Sequence, residues 1–394
     1  MRDAVIVEAV RSPGGRYRRG GLAATRADEI GIQVVKGLMA RVPVLKPEDV
    51  DDLIVGCAFP EAEQGMNLGR VIALGAGLPL RTSGMTINRF CSSGLQSIAD
   101  ATAKIRAGWS EVIIAGGCET MSHIPMGGSV FRPHPDWDDR PNTYVSMGIT
   151  AENVAARYGM AREDLDKFGV ESNRRAYEAI KAGKFKDEII PIEAWAYSKK
   201  NGKRVREKVV FDMDDGVRWP TSMEELARLK SPFKQGGVVT AGNSSQMTDG
   251  AAFSLLMTAE KAKELGLNPL ARLAYYAVEG CAPEEMGIGP AVAVPKVLRL
   301  SGLKTNDIDI FEFNEAFASQ ALYCIRTLGL EGRYKAGDVN PNGGAIALGH
   351  PLGATGAKLT AQIIYEARRR KAKRCIVTMC IGGGMGAAGI LEIL

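Results

Sequence analysis

Cys91 lies in Asn88-Arg89-Phe90-Cys91-Ser92-Ser93-Gly94, just after Met85-Thr86-Ile87-Asn88, which reads as a short strand. The spacing of Leu95, Ile98, Ala99, Thr102 and Ile105 predicts a helix beginning beside the cysteine. Gly108 is placed to stop it in the left-handed cap conformation. Unpaired N–H groups and the dipole at a helix start favour a thiolate, and the small residues that follow leave room for a substrate carbonyl. The chemistry that fits is nucleophilic acyl transfer. The competing reading is a buried structural cysteine.

His350 lies in a glycine-rich stretch, Asn340-Pro341-Asn342-Gly343-Gly344-Ala345-Ile346-Ala347-Leu348-Gly349-His350-Pro351-Leu352-Gly353. Glycines there let backbone and ligand approach closely, and packing explains a histidine poorly in such a turn. Its imidazole suits a base for a thiol or a donor to an oxyanion. His123 and His134 sit in loop-like settings without convergent features and read as structural or surface residues. Cys380 comes after the strand-like Cys375-Ile376-Val377-Thr378-Met379 and before Ile381-Gly382-Gly383-Gly384-Met385-Gly386, where a thiol can serve as acid or base near its pKa. Gly382-x-Gly384-x-x-Ala387 formally fits a dinucleotide loop. It fails on context, because that loop must open a long helix and Ala388-Gly389-Ile390-Leu391 reads as a strand. Asn314, in Asn314-Glu315-Ala316-Phe317-Ala318, is an amide at a strand end that can hold a water or an oxyanion or simply cap a helix. Asn243-Ser244-Ser245 matches a glycosylation acceptor, without weight where nothing indicates secretion.

An internal repeat supplies the elements that must position these groups. Lys46-Pro47-Glu48-Asp49-Val50-Asp51-Asp52-Leu53-Ile54-Val55 resembles Lys304-Thr305-Asn306-Asp307-Ile308-Asp309-Ile310-Phe311-Glu312-Phe313 at a separation of 258 residues. Each copy is followed by turn, helix and strand in the same order: the Cys91 turn, its helix and Val112-Ile113-Ile114-Ala115 in one half. In the other, the His350 turn leads to a helix through Leu359, Ile363 and Ile364 that ends in Arg368, Arg369 and Arg370, then to the Cys375 strand. Alternating strands and helices predict an α/β fold of mainly parallel, helix-covered sheets. The related halves are expected at residues 1–120 and 268–394, with an inserted loop domain and return to the core at 121–267 that includes a helix through Leu165, Phe168, Ala176 and Ile180. Ligands bind beyond the carboxyl ends of parallel strands, so duplication would bring Cys91 and His350 to one pocket.

Composition is ordinary for a soluble globular protein with a large core. The chain has 394 residues, 45% hydrophobic and 24% charged. No apolar run reaches the roughly 18 residues a membrane span requires. Because the chain runs straight into a strand-like segment, no signal peptide is expected, and its last residues match no common retention tail. Seven cysteines and three histidines, without a Cys-x2-Cys pair, argue for reduced thiols in a cytoplasmic setting and against structural zinc. The net charge of +5 is spread out. Its densest stretch, from Lys199 to Arg206, reads as a solvated hairpin and not a nucleic-acid arm; a mildly basic surface suits an anionic phosphorylated substrate.

Taken together, the Cys91 segment, Asn314-Glu315-Ala316-Phe317, the stretch from Asn340 to Gly356 and the Cys380 turn resemble the signatures of the thiolase family, in family order and nearly from end to end. The resemblance implies two βαβαβαββ halves in αβαβα layers with a loop domain inserted. It implies ping-pong chemistry in which Cys91, activated by His350, takes the acyl group and Cys380 serves as acid and base. One oxyanion hole would combine His350 with a water held by Asn314; the other, the N–H groups of Cys91 and Gly382. Carried over by motif, Ser245 would contact the pantetheine arm and Arg218 the adenine end of coenzyme A. Met147 and Met286 would line the acyl and pantetheine tunnel beside Ala316 and Phe317. Coenzyme A is then a substrate and no cofactor is permanently bound. The family also suggests a homodimer or homotetramer and a hydratase-dehydrogenase of β-oxidation as a partner.

Short-chain biosynthetic members usually have histidine before the methionine of the loop-domain Met-Gly pair, whereas this chain has Ser146-Met147-Gly148. That favours degradative 3-ketoacyl-CoA thiolysis over biosynthetic acetoacetyl-CoA formation. A ketoacyl synthase is disfavoured by the late cysteine and the single well-placed histidine, and a non-catalytic CoA- or lipid-binding relative by the intact catalytic positions.

Overall fold

The computed structural model describes residues 2–137, 140–200 and 203–394. In chain order the strands are β1 (Ala4–Arg11), β2 (Gly15–Arg16), β3 (Asp52–Gly56), β4 (Ser83–Ile87), β5 (Val112–Thr120), β6 (Ile192–Lys200), β7 (Lys203–Phe211), β8 (Thr248–Thr258), β9 (Ala271–Gly280), β10 (Ile310–Phe313), β11 (Arg374–Ile381) and β12 (Met385–Ile393). The main sheet runs β10-β11-β12-β9-β1-β8-β5-β3-β4. Its halves meet at the β1–β9 junction, where Ile6 pairs with Ala271.

Each side of that junction has the same plan. β3 lies parallel between β4 and β5, and β8 runs antiparallel between β5 and β1. Across the junction β10 is parallel to β11, and β12 runs antiparallel between β11 and β9. β8 comes from chain beyond the insertion, so residues 1–120 do not complete the first half by themselves. The repeat is visible down to single hydrogen bonds. Asp49 accepts from the N–H of Lys46 and Asp307 from that of Lys304. Asp51 caps the start of β5 through the N–H groups of Glu111 and Val112, as Asp309 caps β11 through Lys373 and Arg374.

The second half departs from a full βαβαβαββ unit. Its third strand is reduced to a single parallel bridge, Phe311 to Val339. Asn340, at φ +47°, turns the chain away, and its side-chain amide takes over the next rung by bonding both the N–H and the carbonyl of Phe313.

Alternation within strands buried on both faces builds the layers. Val5, Val7, Leu53, Val55, Ile114 and Phe253 face the helices Ala27–Arg41 and Leu68–Gly75. Ile6, Ile54, Ile113 and Leu256 face inward, with Cys375, Val377 and Met379, onto a central pair of helices, Ser93–Arg106 and Thr355–Arg370. Phe311, Phe313, Ile376 and Ile390 face the outer helices Gly289–Ser301 and Ala318–Thr327. The order is αβαβα. The central helices cross where only glycine fits: a Cβ on Gly356 would lie 2.3 Å from the Leu95 nitrogen, and one on Gly94 2.8 Å from that of Ala357.

The insertion contains the expected helix, Arg162–Lys181, and a separate hairpin of β6 and β7. Residues 201–202 of the expected basic hairpin, and the side chains of 199–204, lie outside the described residues.

Candidate active site

Cys91 sits in a 3-10 turn, Phe90–Ser92, at the carboxyl end of β4 and directly before the helix Ser93–Arg106. The turn is held by short bonds. The Ser93 hydroxyl donates to the Phe90 carbonyl and accepts from the Arg89 N–H, while the Asn88 amide accepts from the Phe90 N–H and donates to the Ala58 carbonyl. The Cys91 sulfur is faced by its own N–H and that of Gly382. Burial nevertheless pushes its thiol up to about 11. The expectation that the helix start favours a thiolate is therefore corrected for the ligand-free chain: desolvation outweighs the N–H donors, and the resting group is a neutral thiol.

His350 is buried, with its own N–H bonded to the Gln246 carbonyl and the Thr248 hydroxyl. Its Nδ1 lies 2.6 Å from the Thr355 hydroxyl, which itself donates to the Pro351 carbonyl. A carbonyl can only accept, so the hydroxyl accepts from Nδ1–H, leaving Nε2 unprotonated. Nε2 lies 3.2 Å from the Asn314 Nδ2. Burial, with the nearby charge of Lys358, lowers the His350 pKa to about 3. The imidazole is thus a neutral base at pH 7. Asn314 follows β10 directly, and its Oδ1 is buried without a partner, a site for a water or a substrate group.

Cys380 is within β11, one residue before its end, and does not follow the strand as expected. Burial drives its pKa well above the ordinary thiol value, with Cys91, Cys324 and Cys281 nearby. It shares an apolar cluster with Met286, Ala316 and Phe317, against which Met147 packs. Ser245 donates its N–H to the Ala316 carbonyl. Arg218 donates to the Ala241 carbonyl while its Nε is buried without a partner. Among the described residues no hydrogen bond joins the Cys91 thiol to His350. Their turns pack together through Cys91 and Leu352; Gly382 and Cys380 lie by the Cys91 sulfur and Asn314 contacts His350, so the five residues gather around one locus.

His123 pairs with Glu63 and with the Ala23 carbonyl, and His134 is exposed beside Trp137. Asn243 is buried and bonded to Asp166. All seven cysteines are free.

Several positioning residues escape sequence reading. Lys358 donates to the carbonyls of Leu348 and Gly349, pinning the chain just before His350. Glu119 accepts from the N–H groups of Ala58 and Gly353, tying together the turns of the two halves. Thr355, at the start of its helix, could have been found as the repeat counterpart of Ser93; Glu119 and Lys358 gave no local signal.

The comparisons with known proteins agree with this fold. Residues 4–260 match the family description "Thiolase, N-terminal domain" and residues 267–393 match "Thiolase, C-terminal domain". The chain belongs to the thiolase family, and it is an acyltransferase. It is 50% identical to a "3-ketoacyl-CoA thiolase" of Bacillus subtilis (strain 168), over 100% of both chains. It is 44% identical to "3-ketoacyl-CoA thiolase A, peroxisomal" of Mus musculus, over 99% of this chain and 91% of the relative. It is also 44% identical to an "Acetyl-CoA acetyltransferase" of Chromobacterium violaceum, over 99% of each. The solved Bacillus anthracis acetyl-CoA acetyltransferase superposes with a TM-score of 0.88 at 39% identity, over 100% of this chain and 99% of that one.

Proposed function

We propose that this chain cleaves 3-ketoacyl-CoA with free coenzyme A, giving acetyl-CoA and an acyl-CoA shortened by two carbons, in the degradation of fatty acids. The observation that carries the reading is the juxtaposition of a buried thiol facing the Gly382 N–H with a neutral His350–Asn314 pair and a second thiol, Cys380.

In this reading Nε2 of His350 takes the Cys91 proton as the sulfur attacks the 3-keto carbon, and the N–H groups of Cys91 and Gly382 bind the oxyanion. The bond between C2 and C3 breaks and the electron pair becomes the acetyl-CoA enolate. That enolate is stabilised by a water on Asn314 and by His350, and is protonated by the Cys380 thiol. The acyl group stays on Cys91. Coenzyme A then gives its thiol proton to Cys380 and attacks the thioester, and Cys91 leaves as thiolate to recover its proton. Losing one oxyanion donor costs about 2.7–4 kcal/mol of transition-state stabilisation.

Ser245, Arg218, Met147 and Met286 are assigned to coenzyme A and the acyl tunnel. Coenzyme A is a substrate, and no resident cofactor is invoked. A homo-oligomer is supported by β4, an edge strand of the sheet flanked by the exposed Leu80 and Met66. The names of the Chromobacterium violaceum relative and the Bacillus anthracis structure favour a second reading, condensation of two acetyl-CoA molecules with the same residues. Steady-state thiolysis of acetoacetyl-CoA against 3-ketooctanoyl-CoA separates them. A higher kcat/KM on the longer substrate supports degradation, activity confined to acetoacetyl-CoA supports the second reading, and inactivity on both contradicts thiolysis.

A further inference from the structure

Phe90, the residue before the nucleophile, has three features that its packing does not explain. It has φ +42°, a left-handed conformation rare for an aromatic residue. Strain of this kind costs about 1–3 kcal/mol and persists where the surroundings impose it, commonly at functional sites. Here the bonds from Asn88 and Ser93 impose it. The residue keeps 36% of its surface open although Cys91 next to it is 7% exposed. It is also directed over Gly382: a Cβ built there would lie 3.7 Å from the Phe90 ring and 3.6 Å from the Met147 sulfur. Phe59 backs the ring at 6.1 Å between centroids.

These positions define a wall. The Gly382 N–H faces the Cys91 sulfur, so a carbonyl on that sulfur has Gly382 on its oxygen side and Phe90 with Met147 above it. Next to it, Cys380 is lined by Met286, Ala316 and Phe317, against which Met147 also packs. We infer that Phe90 is a specificity-determining residue whose open ring face receives the acyl chain beyond its first carbons, selecting longer 3-ketoacyl chains over acetoacetyl. The inference rests on the proposed acyl-Cys91 chemistry. An acetyl group on Cys91 is too short to cover the ring, whereas an alkyl chain of several methylenes covers its apolar face. Burying or losing such contact changes discrimination by about tenfold or more. The turn bonds fix the direction in which the Phe90 side chain leaves the backbone before substrate arrives.

The test is the ratio of kcat/KM for 3-ketooctanoyl-CoA to that for acetoacetyl-CoA, in the wild type, Phe90→Ala and Phe90→Leu. The expected result is a ratio lowered about tenfold in Phe90→Ala and largely restored in Phe90→Leu, which keeps an apolar branch on the same backbone. A ratio within about twofold of the wild type in both variants would overturn the inference. So would a higher ratio in Phe90→Ala, since the ring would then be blocking long chains. If Phe90→Ala does not fold, the Leu variant and Phe90→Gln, which removes the apolar face, decide on the same ratio. Failure of the underlying reading looks different: the wild type itself would cleave neither substrate.

Discussion

Nδ2 of Asn314 lies 3.2 Å from Nε2 of His350, and the other atom of that amide, Oδ1, is buried without a partner. One side chain therefore contacts the base and also leaves open a site for water. Because the two residues come from different loops of the second half, their meeting is a product of the fold. Asn314→Ala removes both functions. It is expected to lower kcat for thiolysis by about 10²–10³-fold, the usual effect of losing an oxyanion donor, while isothermal titration still detects coenzyme A binding. A kcat within threefold of the wild type would remove Asn314 from the reaction.

The raised Cys91 thiol predicts a pH dependence of alkylation. With its pKa pushed to about 11, the thiolate fraction keeps growing with pH far above neutrality. The rate of iodoacetamide labelling at Cys91, read by peptide mass spectrometry without substrate, should still be climbing at pH 9. A plateau below pH 8 would mean that the N–H donors dominate over burial.

His350 should leave a mark on stability. Its pKa is about 3 in the fold against an ordinary 6.5, so below pH 6.5 the unfolded chain binds a proton that the folded one does not. Its contribution is complete above pH 6.5 and is lost as the pH falls toward 3. The wild type should therefore be destabilised on acidification more steeply than His350→Asn, by up to about 1.4 kcal/mol per pH unit within that window. Parallel urea-denaturation profiles from pH 4 to 6.5 would contradict this.

Two glycines separate structural from chemical need. A Cβ on Gly356 meets the Leu95 nitrogen at 2.3 Å, but one on Gly382 finds ordinary contacts at 3.6 Å and beyond. Gly356→Ala should destabilise the fold by at least about 2 kcal/mol through the crossing of the central helices. Gly382→Ala should keep the wild-type melting temperature and lose about tenfold or more in kcat/KM on the eight-carbon substrate, because its methyl intrudes beneath Phe90 and Met147. Equal losses of stability would undo the distinction.

The parts of this molecule that were legible in sequence are those carried by local pattern. The repeat at Lys46 and Lys304 marks the two like halves of the main sheet, and runs such as Val112-Ile113-Ile114-Ala115 mark buried strands. The Cys91, Asn314, His350 and Cys380 motifs were legible because each is long. What pattern could not carry was depth and distance. The start of a helix suggested a thiolate at Cys91, whereas burial made it a thiol. Asn340 looked like part of a turn, yet its amide replaces a strand rung. Glu119 reaches Gly353 across 234 positions, and no periodicity reports a contact of that range.

The proposed reaction requires that Cys91 carry the acyl group. Enzyme mixed with 3-ketooctanoyl-CoA in the absence of free coenzyme A, quenched in acid and digested, tests it by mass spectrometry of the cysteine peptides. The expected result is a hexanoyl adduct on the Cys91 peptide, with acetyl-CoA released in equal amount, and no adduct in Cys91→Ala. An adduct on Cys380, or turnover by Cys91→Ala at the wild-type rate, would contradict it.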